Sequence, residues 1–513
     1  MDQSLPIADL TVLVIYMAGI VGIGLWAARK SQTSEGFMLA GRSLPSWAIA
    51  LSLFSTGLSS IGFLAVPGKT FGSNWNLIVF YLALPISAFV AARFFVPFYR
   101  HTGSISAYEH LESRFGGWAR TFAVFSYLGI QVARVGSITL RVGWSLSALT
   151  GWDIEWIIVC SGTIVTLYTL VGGIEAVVWT DVVQSIVLSL GAVLIVVLLL
   201  VNMPGGVSAG FERALEQGKF SLGGFQPDFT TATVWVTLLY SLSINTRFLG
   251  VDQVAVQRYL TARSDREASR SVWMNALIAV PMFTLFCLIG TLLFAFYAGQ
   301  PDRLASVILS AAADTGIAES ALVHADYGDK VLPHFIVQEL PTGITGLLIA
   351  AIFAAAMSSI DSSLNSSATL VREDIYRRYF NPAPSEQQSM RVLRGSTVVW
   401  GILGTATALL LLPVKSILDA SFLLEGMFSG GLLGLFLLGI ISRKASSPIA
   451  VISLVLGMLV IVWMTLPNLF TDEQLGFLRS PFHANMIVSC GSLTVVLVGL
   501  VISHFKSVTE VAD

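Results

Sequence analysis

The chain has 513 residues, of which 55% are hydrophobic and only 12% charged, with a net charge of −2 and a mean hydropathy of +0.77. A soluble domain carries about 25% charged residues, so this composition excludes a water-soluble fold of this length. The near-balanced charge, with no basic run, excludes a nucleic-acid arm and gives no reason to expect an acidic partner.

Apolar stretches able to span a bilayer, about 20 residues each, recur from near residue 8 to residue 504. Thirteen spans are expected, at 8–28, 44–68, 75–98, 118–148, 153–171, 178–202, 230–251, 270–297, 337–370, 391–413, 417–442, 447–466 and 483–504. Lipid offers backbone groups no partner, and these runs are too long for barrel strands, so the expected class is an all-α integral membrane protein. The first span has no basic region before it and no small-residue cleavage site after it, which reads as a retained helix.

Lys and Arg favour cytoplasmic loops. With the N-terminus outside, eighteen of the 29 basic residues fall in inner segments, Arg258 among them, and seven in outer ones. The expectation is a multi-pass protein of the inner or plasma membrane, N-terminus outside and C-terminus cytoplasmic. Cys160, Cys287 and Cys490 lie singly in three different spans, so neither a disulfide framework nor a paired-cysteine metal site is expected.

Two spans carry small and polar residues at mid-membrane. The second reads Ser52-Leu53-Phe54-Ser55-Thr56-Gly57-Leu58-Ser59-Ser60-Ile61-Gly62, and the seventh holds Ser241, Ser243, Asn245 and Thr246 ahead of Arg247 and Gly250. Interrupted helices at corresponding points of two halves point to a transporter binding site, because unwound backbone is tolerated only where it lines a cavity or binds a solute. The expected organisation follows: an extra helix and loop at 1–43, a five-helix unit at 44–202, an extracellular loop at 203–229, a second and inverted five-helix unit at 230–442 that includes an outer loop at 298–336, and two further helices with a short tail at 443–513. Helix interruption is expected in the first member of each unit.

The ninth span contains Ser358, Asp361, Ser362 and Asn365 at the spacing i, i+3, i+4, i+7, which sets two hydroxyls, a carboxylate and an amide on one helical face. Hard oxygen donors of this kind suit an alkali cation, and a carboxylate in the bilayer needs a partner. Asp181, at the start of the sixth span, is the second candidate and would pair with Asp361 through a cation; an acid in a first turn also complements the helix dipole. Arg134 lies in the middle of the fourth span, too deep to snorkel, and its planar fork suits a carboxylate. Arg141 is nearer a membrane face, and Arg247 reads as structural. None of the six histidines, at 101, 110, 324, 334, 483 and 504, forms a zinc-binding helix pair, and neither a phosphate loop nor a nucleophile elbow is present, so an enzyme is not expected. Nor does a repeated pore loop or a charged ring point to a channel.

These residues resemble the sodium/solute symporters, which have the inverted-repeat fold first recognised in a bacterial leucine transporter. The likeness rests on Tyr168-Thr169-Leu170-Val171-Gly172-Gly173-Ile174-Glu175-Ala176, the following Trp179-Thr180-Asp181, Gln257-Arg258-Tyr259, Ala355-Ala356-Met357-Ser358-Ser359, and Phe428-Ser429-Gly430-Gly431 leading to Leu437-Leu438-Gly439. The resemblance implies a first sodium site built from the carbonyls of Ser55, Leu58 and Ala355 and the hydroxyls of Ser358 and Ser359. Among the symporters, the sialic acid carriers look most similar; their second sodium site corresponds to Asp181, Ser358, Asp361 and Ser362, with Asp361 standing where they have serine. Arg134 matches their carboxylate-binding arginine and Ser59 a hydroxyl ligand, whereas Gly57, Gly62, Leu77 and Tyr81 replace two threonines, a phenylalanine and a glutamine.

The expected function is therefore sodium-coupled import of a small organic acid or acidic sugar by alternating access, with sodium as coupling ion and no other cofactor. Alternatives are a neutral sugar, a monocarboxylate, an amino acid or an inorganic anion as cargo, or a transporter-like solute sensor. The expected partners are the solute, sodium and the lipid bilayer; the sequence leaves the oligomeric state open, a monomer being one candidate.

Overall fold

The computed structural model describes residues 6–58, 60–412, 417–468 and 475–512, with side chains left out at 60–61, 148–149, 314–315, 417–428, 468 and 506–512. Among the described residues the architecture is helical, with one isolated β pairing, Leu44 to Ala262. Nine helices among them are long and apolar enough to cross a membrane, and a bent pair makes ten if it counts as one span.

Helix α1 (Ile7–Ala27) buries Asp9, Leu13, Ile20, Gly24 and Ala27 along one face at helical spacing. Its other faces are exposed, as a helix at the rim of a membrane bundle requires. The bent pair comes next. Helix α2 (Ser46–Gly57) and helix α3 (Ser60–Gly72) meet where glycine and serine weaken helical propensity, and Gly62–Gly72 lies 56° from the direction of Ser46–Gly57. Leu58 ends α2, its N–H bonded to Phe54 O at 2.9 Å.

Helix α4 (Gly117–Thr150) precedes helix α5 (Ile154–Val201), whose 48 residues would measure about 72 Å if straight. That is more than twice the roughly 30 Å hydrocarbon core. Gly173, at φ 56 and ψ −152, breaks the helix, and a Cβ there would lie 2.7 Å from Phe37 O. The stretches read as spans 153–171 and 178–202 therefore join at one glycine rather than through a loop.

Helix α6 (Val234–Gly250) corrects an expectation. It runs unbroken through Ser241, Ser243, Asn245 and Thr246, and the chain breaks instead at Val251 and Asp252 before resuming as helix α7 (Gln253–Leu260). The physical reason is that the polar patch is satisfied sideways. Ser241 Oγ donates to Phe80 O and Asn245 Nδ2 donates to Ser241 Oγ at 2.9 Å, so neither competes for the helix's own backbone. Asp252 Oδ1 caps α7 by accepting from Val254 N at 3.0 Å, which marks the true break.

Helices α8 (Asp265–Ala298), α9 (His324–Gln338) and α10 (Ile344–Leu370) follow, and then α11 (Glu386–Leu411), α12 (Ile417–Ile441), α13 (Ser447–Thr465) and α14 (Ile487–Ala512). The bundle is built around α10. In the span from Ile344 to Phe380, 89% of the most apolar window is buried, against 22% for α1. α10 packs on α1, α2, α3, α4 and α5, so a serine-rich helix is enclosed where a lipid-facing one would carry Leu and Val.

The 203–229 connector closes over one end of α3. Lys219 Nζ donates to Phe71 O at 2.6 Å and stands 4.0 Å from the Phe294 ring centroid, almost wholly buried. Burial lowers its ammonium from the ordinary 10.5 to about 8.

Candidate ion and solute sites

The broken end of α2 faces the middle of α10. Ser358 Oγ donates to Ser55 O and to Ala355 O, each at 3.2 Å, and Ser359 Oγ donates to Thr56 O at 3.4 Å. Ser55, Leu58, Ala355, Ser358 and Ser359 are all fully buried. Carbonyls at a helix end lack their helical partners, and hydroxyl oxygens complete a hard, neutral donor set around them. Ser55 Oγ is buried with no hydrogen-bond partner among the described residues, an unsatisfied acceptor beside that set.

One helical turn further along α10 lies a charged cluster. Asp361 Oδ2 accepts from Tyr168 OH at 2.6 Å, and its Oδ1 accepts from Ser362 Oγ at 3.1 Å. Asp181 sits nearby on α5 but is held by Arg258, whose Nη2 donates to Asp181 Oδ2 at 3.0 Å. The same guanidinium donates to Ser52 Oγ at 2.7 Å and Thr56 Oγ1 at 2.8 Å, and also to Ser362 Oγ. Arg258 is thus no inner-segment surface charge, as its place between polar stretches suggests. It is 1% exposed, carried inward by α7, whose residues 253–260 are all buried. Asp181, Asp361 and Ser362 lie around Arg258, with Ser358 adjoining through its carbonyl, which accepts from Ser362 Oγ; it is Arg258, and not Asp361 through a cation, that pairs with Asp181. Asp181 Oδ1 has no hydrogen-bond partner among the described residues.

Beside the broken end of α2 is a cavity of about 240 Å³. Gly57, Tyr81 and Arg134 line it, with Asn245, Phe248 and Phe283. Arg134 Nη2 donates to Thr56 O at 3.3 Å, and no carboxylate partners this guanidinium among the described residues. Tyr81 stacks on Phe283 with an interplanar angle of 11°. Two expected lining positions lie elsewhere. Gly62 packs against Leu58 and Phe283, and Leu77 closes a short 3-10 turn, Trp75–Leu77, so neither lines the cavity. The stacked Tyr81 and Phe283 rings contribute the wall in their place. Ser59 lies outside the described residues.

Several contributors escape sequence reasoning. Tyr168 belongs to the quoted motif, yet its hydroxyl role emerges only from its meeting with Asp361. Thr56 sits in the small-residue patch and serves through both its hydroxyl and its carbonyl. A usable signal for Arg258 was its setting, since Val254, Ala255, Val256 and Leu260 around it are apolar and would not form a solvated loop.

A multi-pass helical bundle with a broken membrane helix, buried oxygen donors and an enclosed cavity is the architecture of a secondary transporter. The sodium:solute symporter family model matches residues 37–457, and the chain belongs to that family. The sodium/sialic acid symporter SiaT of Proteus mirabilis is 35% identical over 455 residues, 88% of each chain. The sodium/sialic acid symporter NanT of Aliivibrio fischeri is 32% identical over 499 residues, 96% of this chain and 94% of its own. A solved sodium-coupled sialic acid symporter, in a substrate-bound outward-open state, superposes with a TM-score of 0.86 at 31% identity over 98% of both chains. The protein is accordingly a sodium-coupled transporter of a small solute, with Na+ as coupling ion, and not an enzyme.

Proposed function

We propose that the chain imports an organic acid or acidic sugar of the sialic acid kind, together with sodium, by alternating access. Thirteen spans cross the membrane in this proposal, counting the two arms of α5 separately and α2 with α3 as one. Residues 44–202 and 230–442 are inverted five-helix units, with the extra helix in 1–43 and two more in 443–513, the N-terminus outside and the C-terminus cytoplasmic. The positive-inside count supports the orientation even with Arg258 removed from it.

One sodium ion is assigned to the carbonyls of Ser55, Leu58 and Ala355 and the hydroxyls of Ser358 and Ser359. A second is assigned to the cluster of Asp181, Ser358, Asp361 and Ser362, where Arg258 pairs with buried Asp181, Asp361 is buried with hydroxyl partners, and a further cation would balance the charge. Sodium entering from outside ties α2 to α10 and so completes the solute cavity. Cargo and ions leave together when the bundle turns inward. Each positive charge that enters gains about 2.3 kcal/mol per 100 mV of membrane potential.

Arg134 carries the solute assignment. It is an intramembrane guanidinium facing a cavity with no protein carboxylate to neutralise it among the described residues, and a carboxylate on the cargo would supply the missing charge. Gly57 and Tyr81, which line the cavity, and Ser59 complete the assigned pocket. Gly57 and the apolar rings of Tyr81, Phe248 and Phe283 favour a second reading, a less hydroxylated monocarboxylate, because they offer few hydrogen bonds to a polyol.

Purified protein in liposomes decides between them. Uptake of labelled sialic acid, other sugar acids and simple monocarboxylates is measured under an inward sodium gradient, with and without an imposed potential. Sodium-dependent uptake of an acid by the wild type, lost in Arg134→Gln, is the expected result; uptake undiminished in that variant removes the carboxylate clamp.

A further inference from the structure

We infer that Asp9, on the first helix, is a positioning residue for the ion-binding helix, and that α1 braces the two helices whose side chains form the charged cluster. The inference rests on the assignment of sodium to α10 made above.

Helix α10 begins after Gly343 with no side chain of its own to cap it. The first N–H groups of any helix lack intrahelical partners. Here the cap comes from another helix. Asp9 Oδ1 accepts from Gly343 N and from Gly346 N, both at 2.7 Å, and Asp9 is 2% exposed, on the one buried face of α1. A carboxylate at that end also complements the helix dipole. The fit is close: a Cβ on Gly346 would lie 2.6 Å from both Cα and O of Asp9, so only glycine lets the two backbones approach so nearly. A plain lipid anchor needs neither a buried acid nor such an approach.

Further along the same face of α1, Gly24 does the equivalent on α5. A Cβ there would lie 2.6 Å from Tyr168 Cβ. Tyr168 is the residue whose hydroxyl donates to Asp361 on α10. One helix therefore sets the axial position of α10 through Asp9 and backs, through Gly24, the tyrosine that links α5 to α10. From Gly346 to Ser358 is about 18 Å of enclosed helix, and a shift at the capped end is carried to the ion ligands because close-packed interiors transmit strain.

The test compares Asp9→Ala, Asp9→Asn, Gly346→Ala and Ser359→Ala in liposomes. Asp9→Ala and Gly346→Ala are expected to raise the sodium concentration for half-maximal uptake about fivefold, with the solute KM at saturating sodium unchanged. Asp9→Asn keeps an oxygen to accept both N–H groups and is expected to stay within about twofold of wild type. The inference is overturned if both disruptive variants keep the wild-type sodium dependence while Ser359→Ala shifts it, or if Asp9→Asn is as impaired as Asp9→Ala. An unshifted Ser359→Ala would instead bring down the ion-site assignment, and the inference with it. Should Asp9→Ala fail to reach the membrane, purified Gly346→Ala answers the same question through the sodium dependence of its melting temperature: a weaker sodium response than wild type supports the brace, and an equal one refutes it.

Discussion

Ser359 and Arg134 donate to the same oxygen. The Thr56 carbonyl at the broken end of α2 accepts from Ser359 Oγ at 3.4 Å and from Arg134 Nη2 at 3.3 Å, which joins the assigned ion site to the assigned solute site through one atom. Coupling between two ligands is reciprocal in binding free energy. Ser359→Ala is therefore expected to reduce, by one common factor, the gain in solute affinity from sodium and the gain in sodium affinity from solute. Calorimetry with each ligand, in the presence and absence of the other, measures that factor from both sides; a factor unchanged from wild type would show that Thr56 does not link the sites.

Arg258 and Asp181 make a second testable pair. Removing one partner of a buried ion pair costs about 3–5 kcal/mol, because the other charge is left alone. Arg258→Gln should lower the melting temperature sharply and abolish uptake. Asp181→Asn added to it should recover part of the stability without recovering transport. A double variant no more stable than Arg258→Gln alone would count against the pairing.

Selectivity should follow the cavity wall. Replacing Gly57 by Thr and Tyr81 by Gln adds hydrogen-bonding groups beside the rings of Phe80, Phe248 and Phe283 and also removes the stack on Phe283. A site built to bond a hydroxyl discriminates far more strongly than an apolar one. Competition uptake should show the double variant moving towards hydroxylated sugar acids by about tenfold or more over simple monocarboxylates; an unchanged ratio would place specificity elsewhere.

Lys219 gives a pH dependence with a defined sign. Burial favours its neutral amine, so between about 8 and 10.5 the unfolded chain binds more protons than the folded one, and stability rises with pH across that window. His324, which packs on Phe71 and Phe294, is itself lowered by burial and by the Lys219 charge, and it is already neutral there. Melting temperatures of the purified protein across that window should show the wild type gaining on Lys219→Met, which does not titrate. Parallel curves would mean that the amine stays charged.

Hydropathy made the membrane helices legible because lipid leaves a chain few options, and the small-residue patch in 52–62 correctly announced a bent helix. The same logic failed for 241–246, where serine and asparagine bond sideways to Phe80 O and to each other. Composition cannot distinguish a polar residue that unwinds its helix from one that a neighbour satisfies. Arg258 was hidden for a related reason: a short apolar turn carrying one arginine looks like a loop until Ser52, Thr56, Asp181 and Ser362 surround it. The Ser358 to Asn365 stripe was legible as a face, but which carboxylate would meet a guanidinium and which a tyrosine depended on α5 and α7 arriving from elsewhere. Gly62 and Leu77 show the limit of motif matching, since a matched position need not face the cavity.

The Gly173 junction bears on how the molecule is made. No loop separates the two arms of α5, and Phe37 O stands 2.7 Å from where a side chain on Gly173 would begin. The segment after α1 therefore packs directly on that junction, and it leaves the ribosome well before the junction does. Deleting the first 43 residues is expected to strip the Gly173 junction of Phe37, the residue packed against it.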